Sequence, residues 1–300
     1  MSSVFLFGTG ASFGSGNCYP EPPPLGNGDN GLFKKLQEKD GIATSLSPAL
    51  ADLFVENFEE GMAEFYSTRE LDLPAFLREM SLYFVGFRPL EGNLYKELIK
   101  AVFLTKQQVV FATTNYDLLI ELSISQLGHM VSYHSLPVPK NNFSVLKIHG
   151  SCNFIPDLRG VNFTNASFTG CETYVDAPIK IERPYEVIEF CNRETSFAPA
   201  IAMYAKGKSV KFCSSFVSQQ LKLWQVSVSK AKKIFIIGLK VNPEDTHIWE
   251  TLAFSEAQLL YVGFEEEDFE KWKKENGRKN AHWIAKTFEE ALPKIKNHFK

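Results

Sequence analysis

The fold class of this chain is decided by the stretch VFLFGTGAS, which runs from Val4 to Ser12. Four consecutive apolar, β-prone residues predict a buried strand, and the glycines that follow at once predict a tight turn. Such a turn lets backbone N–H groups approach a ligand closely, and a helix N-terminus just beyond it would favour a pyrophosphate. A strand-to-helix turn without a ligand also uses glycines, so this motif alone leaves both interpretations open.

The same pattern, a short apolar run that ends in a turn, recurs along the chain. The runs that predict further strands are Val109–Ala112, Val145–Ile148, Lys233–Ile237 and Leu259–Val262. Helical patterns lie between them. Strands that alternate with helices predict an α/β fold, with a Rossmann-like parallel sheet covered by helices.

Two stretches depart from this alternation. Residues from about 32 to 105 are mostly helical in pattern, including Leu73 to Phe84 and a helix that Asn93 can cap. Residues from about 152 to 205 are rich in turn formers. We therefore expect a single domain over residues 1–300, with a helical insertion at about 32–105 and a small irregular module at about 152–205.

Composition and charge exclude several classes of protein. The net charge of −3 and the mixed signs around Lys271 to Lys274 give no basic footprint, so no direct nucleic-acid binding is expected. The five cysteines form no C-x-x-C pair, which predicts that the chain holds no structural zinc or other metal. The run Val4 to Phe7 is too short for a signal peptide, and no apolar stretch approaches the roughly 20 residues that span a bilayer. We expect a cytoplasmic protein that does not bind membranes.

Polar or glycine-rich segments follow four of the predicted strands. They are Gly8–Ser12, Thr113–Asp117, His149–Ser151 and Gly238–Asp245. In open α/β sheets, ligands bind outside the carboxyl ends of the strands. These segments can therefore converge on one site although they are far apart in sequence.

Each segment also has a purely structural interpretation. Thr113–Asp117 can merely cap the next helix, or Asn115 can point its amide into a pocket while Asp117 organises the loop or binds the ligand. A single histidine such as His149 is more often structural, although its ordinary pKa near 6.5 suits a general base. Gly238–Asp245 can be a capped βα loop or a wall for a nucleotide ribose or phosphate.

Taken in order, Gly8–Ser12, Asn115 with Asp117, and His149-Gly150 resemble the sirtuin-like superfamily. The resemblance is closest to its zinc-lacking prokaryotic branch, whose members often serve in anti-phage defence. Pro22–Leu25 and Gly238–Asp245 are similar to further motifs of that branch. The motif-bearing parts span residues 4 to about 263.

The resemblance implies a Rossmann-like domain that binds NAD in an extended pocket and holds no metal. It implies that Asn115 contacts the nicotinamide ribose and positions a water, while His149 acts as general base. Asp117 matches a carboxylate near the nicotinamide pocket, and Ala11 and Ser12 match the phosphate-side turn. The remaining residues that we expect to contact NAD are Gly8, Gly10, Thr113, Gly238 and Asp245.

The leading hypothesis is an NAD glycohydrolase that cleaves NAD to nicotinamide and ADP-ribose. Protein-deacylating sirtuins usually carry a four-cysteine zinc module, which this sequence cannot build, and this favours water over acetyl-lysine as the acceptor. As a defence effector that depletes NAD, the protein would need control by homo-oligomerisation or by a separate partner protein. A non-catalytic NAD- or ADP-ribose-binding module and an NAD-dependent protein deacylase are the alternatives. A dehydrogenase is disfavoured because no acidic residue ends a second strand about 20 places after the glycine turn.

Overall fold

The computed structural model describes residues 3–105, 107–134, 136–159, 174–202 and 210–299. The chain separates into two compact units, and each unit is built from segments that are not contiguous in sequence. The first unit comprises Met1–Pro23, Phe87–Ile148 and Gln219–Lys300, and the second comprises Pro24–Gly86 and His149–Ser218.

The strands are, in chain order, β1 (Ser3–Phe7), β2 (Cys18–Tyr19), β3 (Arg88–Pro89), β4 (Val109–Thr113), β5 (Met130–Ser132), β6 (Asn142–Lys147), β7 (Phe154–Pro156), β8 (Ile179–Ile181), β9 (Lys233–Ile237), β10 (Gln258–Val262) and β11 (Ala281–Ala285). The α-helices are α1 (Thr9–Phe13), α2 (Leu32–Gln37), α3 (Pro48–Glu56), α4 (Phe58–Thr68), α5 (Leu73–Phe84), α6 (Leu94–Leu104), α7 (Leu119–Gln126), α8 (Pro184–Arg193), α9 (Ser214–Lys230), α10 (Thr246–Ala253), α11 (Glu266–Glu275) and α12 (Phe288–Asn297). Among the described residues, none of these helices combines the length and apolarity that crossing a membrane requires.

The first unit is built on a seven-stranded sheet with the order β11-β10-β9-β1-β4-β6-β5. Every neighbouring pair in this sheet is parallel. Strand β1 lies at the centre, where Phe7 pairs with Thr113 of β4 on one side and with Ile237 of β9 on the other. The predicted α/β fold with a Rossmann-like parallel sheet is confirmed.

Both faces of the central strands are buried, which explains their continuous apolar sequences. One face of β1 presents Val4 and Leu6 to a core that includes Trp224 of α9 and Trp249 of α10. The other face presents phenylalanines that stack across the strands, and the ring centroids of Phe5 and Phe235 are 4.7 Å apart. The continuous apolar sequence of these strands therefore reflects burial of both faces of the sheet, and apolar and polar residues do not alternate along them.

The second unit contains helices α2 to α5 and is held together by an aromatic cluster. Its fully buried members are Phe33, Phe54, Phe65 and Phe76. The rings of Phe33 and Phe54 are stacked with centroids 4.5 Å apart. Gly61 of α4 allows the close packing of α3, because a Cβ there would lie 2.7 Å from the Cα of Phe54.

Several predicted elements match the structure closely. The helix over Leu73–Phe84 is confirmed. Asn93 caps α6 as expected, since its side-chain oxygen accepts a hydrogen bond from the N–H of Tyr95 at 3.1 Å. Helix α10 ends at Ala253, and the guanidinium of Arg278 donates to the carbonyl of Ala257 at 2.7 Å in the segment that follows.

The helical insertion expected at about 32–105 and the irregular module expected at about 152–205 do not coincide with the two units of the structure. Helix α6 belongs to the first unit, whereas residues 24–86 and 149–218 together make the second. The expected irregular module contains β7, β8 and the ten-residue helix α8, although residues 160–173 and 203–209 lie outside the described part of the chain. That the two units act as a single domain stays a prediction.

Candidate active site

The candidate site lies in the first unit, at the carboxyl edge of the parallel sheet. The loops that follow β1 and β4 run side by side there, because the N–H of Thr114 donates to the carbonyl of Phe7 at 3.1 Å. The hydroxyl of Thr113 donates to the same carbonyl at 3.0 Å and accepts from the N–H of Asn115 at 3.0 Å. These bonds place the loop of residues 114–118 against the glycine turn.

The hydroxyl of Ser12 is the centre of a buried polar cluster. It donates to Oδ2 of Asp117 at 2.8 Å and accepts from Nδ2 of Asn115 at 2.8 Å. Its oxygen also lies 3.1 Å from the hydroxyl oxygen of Tyr95. Because the single proton of Ser12 is given to a carboxylate, Tyr95 must be the donor in this last bond. The four side chains are all at least nine-tenths buried.

The amide of Asn115 is held in one orientation and leaves one atom unused. Its nitrogen donates to the carbonyl of Gly8 at 2.9 Å as well as to Ser12. Its oxygen, Oδ1, is buried and accepts no hydrogen bond from the described residues. Buried polar atoms are seldom left unpaired, so this acceptor is available to a donor that the protein does not supply.

Asp117 bonds to two other segments of the protein, and contact of its carboxylate with a ligand stays a prediction. Its Oδ1 accepts from the N–H of Leu119 at 2.9 Å, which caps the start of α7, while its Oδ2 accepts from Ser12. One carboxylate therefore fixes the helix that follows the loop and also orients the hydroxyl that orients Asn115.

Tyr95 was not a candidate from the sequence. It lies on α6, 83 positions from Ser12, and its ring packs edge-on against Phe7 with centroids 5.1 Å apart. Burial raises the pKa of Tyr95 well above its usual value, and the charge of Asp117 raises this pKa further. The phenol therefore stays protonated and remains a donor to Ser12.

A buried ion pair, also missed from the sequence, lies behind the same loop. The ammonium of Lys147 on β6 donates to the backbone carbonyl of Asp117 at 2.5 Å and lies 3.3 Å from Oε1 of Glu121 on α7. Burial raises the pKa of Glu121, and Lys147 opposes that shift. The signal that could have identified this pair is the lysine within the otherwise apolar run Val145–Ile148, since lysine is almost never fully buried unless it is paired.

The glycines of the first turn are required by packing between two loops. The N–H of Gly10 donates to the carbonyl of Gly238 at 2.9 Å, and that of Gly8 donates to Ile237 at 3.0 Å. A Cβ on Gly8 would lie 2.5 Å from the oxygen of Gly238, and a Cβ on Gly238 would overlap the nitrogen of Ala11. Close approach of two backbones thus accounts for these glycines, and phosphate binding by this turn stays a prediction.

The other candidates occupy separate positions. Asp245 precedes α10, and its carbonyl accepts from Ile248 and Trp249 at 2.9 Å each. His149 is half-buried and belongs to the second unit, where its carbonyl accepts from Ala202 at 2.8 Å. Gly150 next to it has a φ of +76°, and a Cβ there would overlap the carbonyl oxygen of Ala200. The catalytic pairing of His149 with Asn115 stays a prediction.

The described residues contain no cluster of three or more His, Cys, Asp or Glu side chains that could hold a metal ion. Among the described residues, Cys18, Cys152, Cys191 and Cys213 are buried, and none of them forms a disulfide bond. Cys171 lies outside the described part of the chain.

Comparison with known proteins relates the chain to others by fold. No protein-family model matches the sequence, and no curated protein matches it. Two similar solved structures are a serine-to-alanine variant and a histidine-to-asparagine variant of a Sir2 homologue, each in complex with ADP-ribose. Each gives a TM-score of 0.52 over 99% of this chain and 91% of the other, at 13% and 14% sequence identity respectively. The chain therefore shares the fold of Sir2 homologues, the sirtuin fold.

Proposed function

From the sirtuin fold of this chain, we propose that the protein binds NAD at the carboxyl edge of the sheet in the first unit and hydrolyses it to nicotinamide and ADP-ribose. The observation that carries the proposal is Oδ1 of Asn115, a buried acceptor that the described protein leaves unpaired. The ADP-ribose in the two Sir2 homologue complexes supports a ligand of this class.

The reaction suits the groups that are present. Nicotinamide leaves as a neutral molecule and needs no general acid, and the transition state at the ribose is oxocarbenium-like, as in other glycosyl transfers. An enzyme accelerates such a step by positioning the nucleophile and by stabilising the developing positive charge. Asn115 supplies the first effect by orienting the water.

Asn115 acts through its fixed orientation. Because Nδ2 is bound to two acceptors, at 2.9 Å to Gly8 and 2.8 Å to Ser12, Oδ1 cannot turn away without breaking both bonds. In that orientation it accepts a hydrogen bond from a water or from a ribose hydroxyl. The water oxygen forms a bond to the ribose carbon, the carbon–nitrogen bond breaks with its electron pair going to nicotinamide, and a general base takes the water proton. We assign the role of base to His149.

The remaining residues that were predicted to line the NAD site fall into three groups. Ser12, Thr113 and Asp117 act by holding Asn115 and the loop that carries it. We propose that the turn of Gly8, Gly10 and Ala11 lies along the phosphates, where Thr9 is the exposed residue. Gly238 and Asp245 would then face the nucleotide on the neighbouring strand.

The experiment that tests this proposal is incubation of the purified protein with NAD, followed by chromatography of nicotinamide and ADP-ribose. Asn115→Ala and His149→Ala should abolish release, whereas the matched exposed controls Asn297→Ala and His282→Ala should not. An acetyl-peptide panel run in parallel would instead give acyl-ADP-ribose if the protein were a deacylase. ADP-ribose binding without turnover, with every partner present, would identify a non-catalytic module.

We also propose that this activity serves anti-phage defence in the cytoplasm, under the control of self-assembly or of a separate partner protein. The support is the resemblance of the Gly8–Ser12, Asn115 and His149 motifs to the zinc-lacking branch. Cells that carry the protein should lose NAD on infection, and cells with Asn115→Ala should not. A protein that stays monomeric and equally active with and without lysate from infected cells would contradict regulated assembly.

A further inference from the structure

The ion pair of Lys147 and Glu121 lies directly behind the loop that carries Asn115. The side chain of Lys147 is fully buried, and that of Glu121 is 8% exposed. The Nζ atom of Lys147 contacts Oε1 of Glu121 at 3.3 Å and the backbone oxygen of Asp117 at 2.5 Å. The ammonium thus has one partner on α7 and a second partner in the loop of residues 114–118.

Stability alone is a poor explanation for this pair. Removing a lysine and a carboxylate from water is costly, and replacement of a buried ion pair by apolar side chains of similar size is often neutral or stabilising. The bond to the loop carbonyl is the feature that an apolar pair could not reproduce. The ammonium of Lys147, unlike an apolar side chain, bonds to the loop carbonyl as well as pairing with Glu121.

Lys147 is itself held on a rigid support. Its strand pairs with β4 in parallel, with Lys147 opposite Thr113. Its backbone N–H donates to Oε1 of Gln220 at 3.2 Å, and Nε2 of Gln220 donates to the carbonyl of Tyr133 at 3.0 Å. The backbone of Lys147 is therefore held in place, and its ammonium binds the carbonyl of Asp117 from that fixed position.

We infer that Lys147 is a positioning residue, which fixes the loop of residues 114–118 so that Oδ1 of Asn115 points at the reacting ribose. Glu121 is the counter-charge that lets the lysine be buried. This inference rests on the proposed NAD hydrolysis for its functional part. Its structural part, that Lys147 immobilises the loop, can be measured without any ligand.

The test separates two effects of Lys147, which are its hydrogen bond to the loop carbonyl of Asp117 and its ion pair with Glu121. In Lys147→Met/Glu121→Met both charges are removed, so the protein should unfold at a temperature close to that of the wild type. Hydrogen exchange of residues 113–119 should nevertheless become faster, and kcat for nicotinamide release should fall on the order of 100-fold, as expected for a small misplacement of a reacting group. KM should change much less than kcat, which a general loss of structure would not produce.

A matched control removes an ion pair of another buried lysine. Lys211 is 3% exposed and pairs with Glu70 in the second unit. The double variant Lys211→Met/Glu70→Met should leave exchange of residues 113–119 unchanged. If the first double variant does not fold, Lys147→Gln/Glu121→Gln, which removes both charges but keeps polar groups that can pair, is measured with the same two readouts.

The outcomes are distinct for the two claims. Wild-type exchange of residues 113–119 in the Lys147 double variant would overturn the inference, as would a wild-type kcat. If the unmodified protein releases no nicotinamide under any condition, the proposed hydrolysis fails, and the exchange measurement alone still decides whether Lys147 positions the loop.

Discussion

The hydroxyl of Ser12 donates a 2.8 Å hydrogen bond to Oδ2 of Asp117, although 105 positions separate the two residues in sequence. This bond joins the turn after β1 to the loop after β4. Since the same hydroxyl accepts from Asn115 and Tyr95, the orientation of one amide depends on three distant segments of the chain.

Removing the centre of this cluster should affect both stability and turnover. Ser12→Ala leaves the Tyr95 hydroxyl and one Asn115 N–H with fewer partners in a buried site, which costs about 1–3 kcal/mol. We expect a matching decrease in the free energy of unfolding in urea and a loss of nicotinamide release. Ser229→Ala, at an exposed helical serine, is the control and should change neither quantity.

Removing only the Tyr95 hydroxyl should be milder. Tyr95→Phe keeps the ring that packs on Phe7 and Phe288, with centroids 5.1 and 5.6 Å away, and removes one donor to Ser12. We expect a loss of about 1 kcal/mol in unfolding free energy and a several-fold lower kcat. Tyr19→Phe, at a half-exposed ring, serves as the comparison. Equal effects of the two substitutions on kcat would show that the bond from Tyr95 to Ser12 has no functional role.

The contact between the two glycine loops can be tested with a pair of glycines that share one backbone conformation. Gly238 and Gly277 both have a φ of +62°, but only Gly238 has neighbours that a Cβ would overlap. Gly277→Ala should cost about 1–2 kcal/mol, the penalty of a left-handed conformation. Gly238→Ala should cost more than that and displace α1. Similar unfolding midpoints for the two variants would contradict the assigned packing.

Stability should depend on pH through His247. Burial lowers the pKa of His247 to about 4, from an ordinary value of 6.5. Because the folded state binds the proton less readily than the unfolded state, this contribution is fully present above pH 6.5 and is lost as the pH falls towards 4. His247→Gln should therefore flatten the decline of stability in this window by roughly 1–3 kcal/mol. Parallel stability curves for the variant and the wild type would show that His247 does not titrate in this way.

Much of the fold could be predicted because its signals are local. Continuous apolar runs predicted β1, β4, β9 and β10, since strands of a parallel sheet are buried on both faces. Strand β11 was missed because its sequence AHWIA is no continuous apolar run: the exposed His282 interrupts it, and alanines occupy its two buried ends at the sheet edge. Helix α9 was missed because its serines and β-branched residues are weak helix formers, and packing around Trp224 overrides that preference.

The candidate site was predictable only in part, for a related reason. Asn115 and Asp117 directly follow β4, so their position in the sequence places them at the carboxyl edge of the sheet. Tyr95, on α6, and Lys147, at the end of β6, act through tertiary contacts that no short sequence pattern encodes. The sequence left open whether the glycines of the first turn bind a ligand or only form a turn. The structure gives a packing reason for Gly8 and Gly10, because both lie against the backbone of Gly238.

The most direct test of the central claim is NAD cleavage in heavy-oxygen water, with mass analysis of the ADP-ribose that is released. Hydrolysis directed by Asn115 predicts one heavy oxygen atom in each ADP-ribose from the wild type, and no product from Asn115→Ala. Unlabelled product from the wild type, or labelled product formed equally fast by Asn115→Ala, would contradict it.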